Sequence, residues 1–186
     1  MTEPLQPEQV VQDTLGEAWD LFQNDFVLYI LAGLVTIAVS LVSLGLLSGV
    51  VCVGFIKLVE TRRRGEDGFP TDVFDGFSQF GECFVASILI GLGILIGMLL
   101  FVLPGLLFGL AMLFTYPAIA IDNETATGGM AKSYSIIKEN FALAAVFLVI
   151  VVVLSSIGGA FVFGTLLTLP FCLILLTLAY HRLNTY

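Results

Sequence analysis

The sequence predicts an all-α integral membrane protein with six transmembrane helices, arranged as three hairpins, each preceded by an amphipathic interfacial helix. Three observations carry that reading. Residues 26–56, 83–121 and 141–180 form blocks of 31, 39 and 40 residues without a charged side chain. All seven basic residues (Lys57, Arg62, Arg63, Arg64, Lys132, Lys138 and Arg182) stand outside these blocks. The chain also repeats itself: aligning Phe26, Phe84 and Phe141 gives separations of 58 and 57 residues.

Composition sets the class. Hydrophobic residues make up 58% of the 186 and charged residues 12%, with a mean hydropathy of +1.03, which fits a polytopic membrane protein. The net charge of -8 comes from acids in the polar segments between the blocks, where solvation accounts for them. Seven basic residues are too few to cover nucleic acid phosphates. No cleavable signal peptide is expected, because residues 1–24 are acidic and mixed, so the first apolar block is its own insertion signal. Cys52, Cys83 and Cys172 lack metal-ligand spacing and read as small buried hydrophobes.

Residues 1–7 read as a frayed tail. From Glu8 onward, Val11, Leu15, Ala18, Trp19, Phe22 and Phe26 recur at three- and four-residue spacing, the mark of an amphipathic helix with an aromatic stripe. Two placements fit it: along the bilayer surface, where tryptophan is favoured, or docked on the protein's own helices.

The block 26–56 accommodates one tilted helix or two shorter ones meeting near Ser43-Leu44-Gly45. After the basic run comes a polar loop and a second stripe of Val73, Phe77 and Phe80. The block 83–121 is roughly twice the about 20 residues one crossing needs, so a reversal is expected inside it. Pro104 and Gly105 mark the place, since proline removes a donor and glycine accepts a tight turn. A third stripe, Met130, Tyr134 and Ile137, leads into 141–180, where Ser155-Ser156-Ile157-Gly158-Gly159 is the expected break.

The repeat resolves the first block. Seven residues before each reference Phe stand Trp19, Phe77 and Tyr134; eight before, Ala18, Gly76 and Ser133; four before, Phe22, Phe80 and Ile137. The units span approximately 8–64, 69–121 and 126–182 of a single membrane domain. By this grammar 26–56 is also a hairpin, turning near Gly45. Every basic residue then lies at an open end, which places both termini in the cytoplasm. Gly45 with Gly49, Gly93 with Gly97, Gly105 with Gly109 and Ala160 with Gly164 give small faces for close packing, within the chain or between chains.

Chemistry is sparse. The blocks contain no intramembrane charge, and there is no Ser-His-Asp set, HExxH, Walker loop or dinucleotide fingerprint, so no catalytic residue, cofactor or metal is expected. Arg62, Arg63 and Arg64 fit either a topology signal or a grip on anionic lipid headgroups. Asp25, Glu82 and Glu139 occupy similar repeat positions and fit either helix caps or a polar vestibule. Pro117 in Thr115-Tyr116-Pro117 is a kink site, where a hydroxyl can satisfy the freed carbonyl.

The run Leu103-Pro104-Gly105, then Tyr116-Pro117, Ile121-Asp122, Ala131, Ser133 and Lys138-Glu139-Asn140-Phe141 resembles a broad group of bacterial membrane proteins. It includes the YciC-like proteins and the membrane domain attached to some glycerophosphoryl diester phosphodiesterases. The resemblance implies a six-helix domain of the bacterial inner membrane and a link to lipid or envelope biology. It does not imply hydrolysis, since the phosphodiesterase barrel and its acidic metal ligands are missing from this sequence. The expected function is a non-enzymatic scaffold, accessory subunit or lipid-binding module, with membrane lipids, a membrane-protein partner or a second copy as partners. The alternative is a channel or transporter for a lipid or small neutral solute, and an enzyme acting on lipid comes third.

Overall fold

The structure, a computed structural model, describes residues 7–159 and 162–184. Among these are nine α-helices and one 3-10 helix, with no strand. They run α1 (Pro7–Asn24), α2 (Phe26–Val42), α3 (Ser48–Arg63), the 3-10 helix (Pro70–Gln79), α4 (Phe80–Leu100), α5 (Val102–Ala111), α6 (Thr115–Asp122), α7 (Ala126–Glu139), α8 (Phe141–Gly159) and α9 (Val162–Asn184). Residues 1–6 of the expected tail, and Ala160 of the last small pair, lie outside the described residues.

α1 buries Val10, Thr14, Ala18 and Phe22, one residue per turn, against α9. Trp19 stays half-exposed, and the chain bends by 92° at Asp25 into α2. The helix is thus docked on the protein and lies across the direction of α2.

The first hairpin turns where expected. Leu44 (φ 52°) and Gly45 (φ 83°) take left-handed conformations, and their N–H groups close back onto Leu41 and Ser40 carbonyls at 3.1 and 2.7 Å. Gly45 therefore serves the turn and shares no helix face with Gly49, correcting the expected pair.

The second reversal differs from expectation. The chain turns at Phe101, in extended backbone (φ −168°, ψ 154°), and Pro104 is the third residue of α5. First-turn N–H groups have no intrahelical partner, so proline sits there without losing a bond. Pro117 is likewise the third residue of α6. Gly105 serves a close contact instead of the turn: a Cβ there would lie 2.9 Å from the Met98 backbone nitrogen, and one on Gly97 would lie 2.6 Å from the Gly105 Cα. In the last block the expected break, Ser155 to Gly159, is helical and forms the end of α8. The second aromatic stripe is divided between the 3-10 helix, whose Val73 is buried and Phe77 exposed, and the first residue of α4, the exposed Phe80.

Four helical runs are long and apolar enough to cross a membrane: Pro70–Leu100, Val102–Asp122, Phe141–Gly159 and Gly164–Asn184. A fifth is counted if the bent pair Glu8–Asn24 and Phe26–Val42 is one span. The first hairpin is the short one, with 17 residues in α2 and 16 in α3. Lys57, Glu60, Arg62 and Arg63 also occupy the last two turns of α3.

Burial separates inner from outer helices. α3, α6 and α9 pack on one another and bury Phe55, Ile56, Ile119, Ile174 and Tyr180 completely. α4 and α8 carry exposed apolar residues along most of their length, including Leu92, Leu99, Val149 and Ile157. Each leading segment lies against an inner helix: α1 on α9, the 3-10 helix on α3, and α7 on α6. Most of the small faces are used inside the chain. Gly49 meets Ser87 and Tyr116, and Gly93 meets Phe108.

Candidate functional site

The charged residues gather at the open ends of the hairpins, where they are largely engaged with one another. Arg62 at the end of α3 donates two hydrogen bonds to the Asp25 carboxylate, at 2.7 and 2.9 Å, closing the base of the first hairpin. Its remaining donors reach the Glu66 carbonyl at 3.0 Å and Asp67 at 3.7 Å. Arg63 lies 3.7 Å from both Glu17 and Glu60, and Arg64 bonds Glu60 at 3.0 Å. α9 enters the same network through His181, 2.7 Å from Glu60, and Arg182, 3.0 Å from Glu17. α6 and α7 join through Asp122, which accepts from Lys132 at 2.7 Å and from the Tyr180 hydroxyl. The pairs tie α1, α3, α6, α7 and α9 together without using the apolar core.

This arrangement decides what the arginine run has left to offer a ligand. Arg62 and Arg63 are only 24% and 36% exposed, and Arg64, at 62%, is the one with surface to spare. Charge-assisted bidentate bonds such as Arg62–Asp25 are the stronger kind, so an anionic headgroup would have to compete with carboxylates already in place.

Glu60 is the centre of the network. Burial pushes its carboxyl pKa up, but hydrogen bonds from His181 and Arg64, with the charges of His181 and Arg63, outweigh burial and hold it below the ordinary glutamate value. A depressed carboxylate pKa adds stability above the unfolded-state value, and that stability is lost as pH falls through the folded-state value. Native protein is therefore expected to lose thermal stability on acidification below the ordinary glutamate pKa. Glu60→Gln should be less stable than native at neutral pH by about 2 kcal/mol, screened by solvent, with the difference shrinking in acid. Thermal unfolding across pH in detergent checks both; an equal difference at every pH would refute the assignment.

The three carboxylates that share repeat positions serve different partners. Asp25 occupies the N-cap position of α2 but makes no cap hydrogen bond, since Arg62 holds its carboxylate. Glu82 reaches across to α7, accepting from the Ala126 N–H at 2.6 Å and so capping another repeat's leading helix. Glu139 accepts from Ser135 on its own helix at 3.5 Å.

The break between α5 and α6 is held from a distance. Ser133 of α7 donates to the Ala111 carbonyl at 2.7 Å and accepts from the Phe114 N–H at 3.0 Å, satisfying both sides of the interruption. The sequence places the hydroxyl that serves this kink beside Pro117. Thr115 is indeed fully buried there, but its own contact is the Met112 sulfur at 3.8 Å. The sequence signal for Ser133 was its place in the small-residue column with Ala18 and Gly76. Gln79 makes a comparable link, donating to the Ile119 carbonyl at 3.0 Å and to Asn123 at 2.9 Å.

Among the described residues are three concavities of unlike lining. An apolar groove of about 400 Å³ lies between α1 and the last hairpin, lined by Trp19, Phe22, Gln23, Phe26, Leu154, Leu167, Thr168 and Phe171. A second, of about 370 Å³, lies between the first hairpin tip and α4. A polar cleft of about 300 Å³ separates the ends of α3 and α6, with Lys57, Glu60, Arg64 and Asp75 on its walls. Among the described residues no cluster of three or more His, Cys, Asp or Glu side chains is gathered to hold a metal ion.

Compared with protein-family models, curated proteins and solved structures, the chain finds no match.

Proposed function

We propose that the chain is a non-enzymatic, multi-pass protein of the bacterial inner membrane that serves as a scaffold, accessory subunit or lipid-binding module. In this reading six helices cross the bilayer as three hairpins: α2 with α3, α4 with the broken α5–α6, and α8 with α9. The repeats are related by pseudo-threefold symmetry. In support, each leading segment packs on the last helix of the preceding hairpin in a closed cycle. The small residues Ala18, Gly76 and Ser133 all fall on those leading segments and are all buried. Both termini and the charged end face the cytoplasm, by the positive-inside rule. The resemblance of residues 103–141 to the YciC-like group points to the same membrane and the same lipid-linked role.

The observation that carries this reading is where the apolar surface lies. Phe55, Phe114, Ile174 and Tyr180 fill the space between the inner helices, whereas the outward faces of α4, α5 and α8 remain apolar and open. That is the disposition of a body that meets lipid or a neighbouring membrane protein through its flanks.

Two experiments test it. Single cysteines at Leu44, Phe101 and Gly159, in a background lacking the three native cysteines, are expected to label from the periplasm. Cysteines at Gly65 and Glu124 are expected to label from the cytoplasm; labelling of Leu44 from the cytoplasm alone would remove the first hairpin from the membrane-crossing set. Native mass spectrometry of protein released from native nanodiscs is expected to show retained lipid or a protein partner. A bare monomer would overturn the module reading, and solute flux above that of empty liposomes would transfer it to the transporter class.

A further inference from the structure

The 3-10 helix Pro70–Gln79 is long for its kind, since runs beyond three or four residues are uncommon. At three residues per turn, positions three apart eclipse, so its residues fall into three straight rows. Pro70, Val73, Gly76 and Gln79 form the inward row: Val73 and Gly76 are buried on α3, and Gln79 bonds α6 at the Ile119 carbonyl. Asp72, Asp75 and Ser78 form a polar row, and Lys57 of α3 donates to the Ser78 hydroxyl at 3.0 Å. Thr71, Phe74 and Phe77 form the third row, which is exposed throughout.

That third row does not stop with the 3-10 helix. Phe74 packs on Phe77 and Phe77 on Phe80, each at 6.1 Å between ring centroids, and Phe80 stacks on Phe84 of α4 at 5.6 Å. The change of winding at Phe80 keeps the column going, because neighbours on one face are three apart in a 3-10 helix and four apart in an α-helix. Phe74, Phe77 and Phe80 remain 40–45% exposed, so the column is an open apolar surface that runs on into the exposed Ile88 and Leu92 of α4.

Depth identifies what covers it. Val73 and Gly76 meet α3 at Val50 and Gly54, on the hairpin-tip side of Lys57, the first charged residue of that helix. At helical rise the contact lies about 4 to 10 Å on the apolar side of Lys57, close to the roughly 5–10 Å to which interfacial helices sink an apolar face. A soluble partner would have to reach past the Lys57 level to touch the rings. Acyl chains at that level need only follow the apolar flank of α4 upward.

Resting on the membrane-crossing reading of α4 above, we propose that the column from Phe74 to Phe84 is seated in the bilayer, its rings among the acyl chains just below the headgroups of the charged end. Asp75 and Ser78 stay with Lys57 on the polar side. The long 3-10 winding is what gives one segment a protein face, a lipid face and a polar face at once. The stripe of Val73, Phe77 and Phe80 read from the sequence mixes the first two of these.

Trp19 is the only tryptophan, so a single reporter can be moved along the chain. In a Trp19→Phe background, Phe77→Trp and Leu92→Trp are made separately and reconstituted in phosphatidylcholine nanodiscs whose lipids are brominated either near the headgroup or near the chain end. The Phe77→Trp reporter is expected to be quenched about twofold or more by the shallow bromines relative to the deep ones, and to resist aqueous iodide. Phe74→Trp should behave the same way, and it carries the test if Phe77→Trp does not fold. Quenching by iodide with neither bromine set effective overturns the proposal and returns the rings to water. Silence toward all three quenchers overturns it in favour of a covering protein or a second copy. Leu92→Trp keeps the two readings apart. Bromine quenching there beside a failed column leaves α4 in the bilayer and removes only this face, whereas iodide quenching of Leu92→Trp removes the membrane-crossing reading as well.

Discussion

Gly54→Leu is expected to abolish recovery of folded protein. A Cβ at Gly54 would lie 1.7 Å from the Val73 carbonyl oxygen, and one at Gly76 would lie 2.0 Å from the Val50 carbonyl oxygen. These contacts are backbone against backbone, so no rotamer change relieves them. The two elements match because Val50 and Gly54 are one α-turn apart on α3, while Val73 and Gly76 are one turn apart on a 3-10 helix of three residues per turn. Forcing them apart would expose Val73 and Val50, now fully buried, and would pull Lys57 from its 3.0 Å bond with Ser78. Even Gly54→Ala should cost about 3 kcal/mol or more, at or above the top of the usual overpacking range, because the clash is with backbone that no rotamer relieves. Gly16→Ala is the control: nothing lies within 4 Å of its Cβ position, and alanine should stabilise α1 by up to about 1 kcal/mol. Size-exclusion profiles and thermal midpoints in detergent distinguish the two. A well-folded Gly54→Leu protein would mean that α3 and the 3-10 helix do not touch.

Ser133→Ala is expected to cost about 2–5 kcal/mol, because it orphans two backbone groups at once. Ser133 is fully buried, and its hydroxyl is the recorded partner of both the Ala111 carbonyl and the Phe114 N–H across the break. The loss should be local as well as global. Hydrogen exchange of the Phe114 amide is expected to accelerate in Ser133→Ala by more than the change in overall stability accounts for. Ser156→Ala provides the contrast, since that exposed hydroxyl only bonds back to Val152 on its own helix. Equal exchange at Phe114 in native and Ser133→Ala protein would show that the break is stabilised by something other than α7.

Much of the fold was legible because a bilayer asks simple questions of a sequence. Charge-free length, basic residues at the ends and aromatic stripes before each block located the apolar helices, and the turn at Leu44–Gly45 followed from one ambiguous glycine read through the repeat. Prolines misled in a consistent way. Pro104 and Pro117 were read as the points of interruption, yet both stand in the first turn of the helix that follows one. The physical reason is that a proline resolves its missing donor most cheaply where no donor is used, which displaces the break upstream. The first block is the one the sequence leaves open between one tilted helix and a hairpin, and the four basic or acidic residues in the last turns of α3 leave it the shortest in apolar length.

The candidate site was less legible, because its parts come from distant positions. Asp25 and Arg62 were each singled out from the sequence, but only their juxtaposition over 37 residues shows that they neutralise one another. Glu60 and His181 are separated by 121 residues and drew no attention together, yet they join α3 to α9. The groove beneath α1 needed the 92° bend, which swings an acidic, aromatic helix across the head of the last hairpin.

The sequence by itself determined the apolar solvent this chain is built for and the segments long and apolar enough to meet it, since each depends on local composition and period. Only the tertiary structure decided which helices lie inside, which glycines carry backbone contacts and which charges face one another. Those outcomes depend on elements far apart in the chain approaching within bonding distance, and no local pattern encodes the partner on the other side.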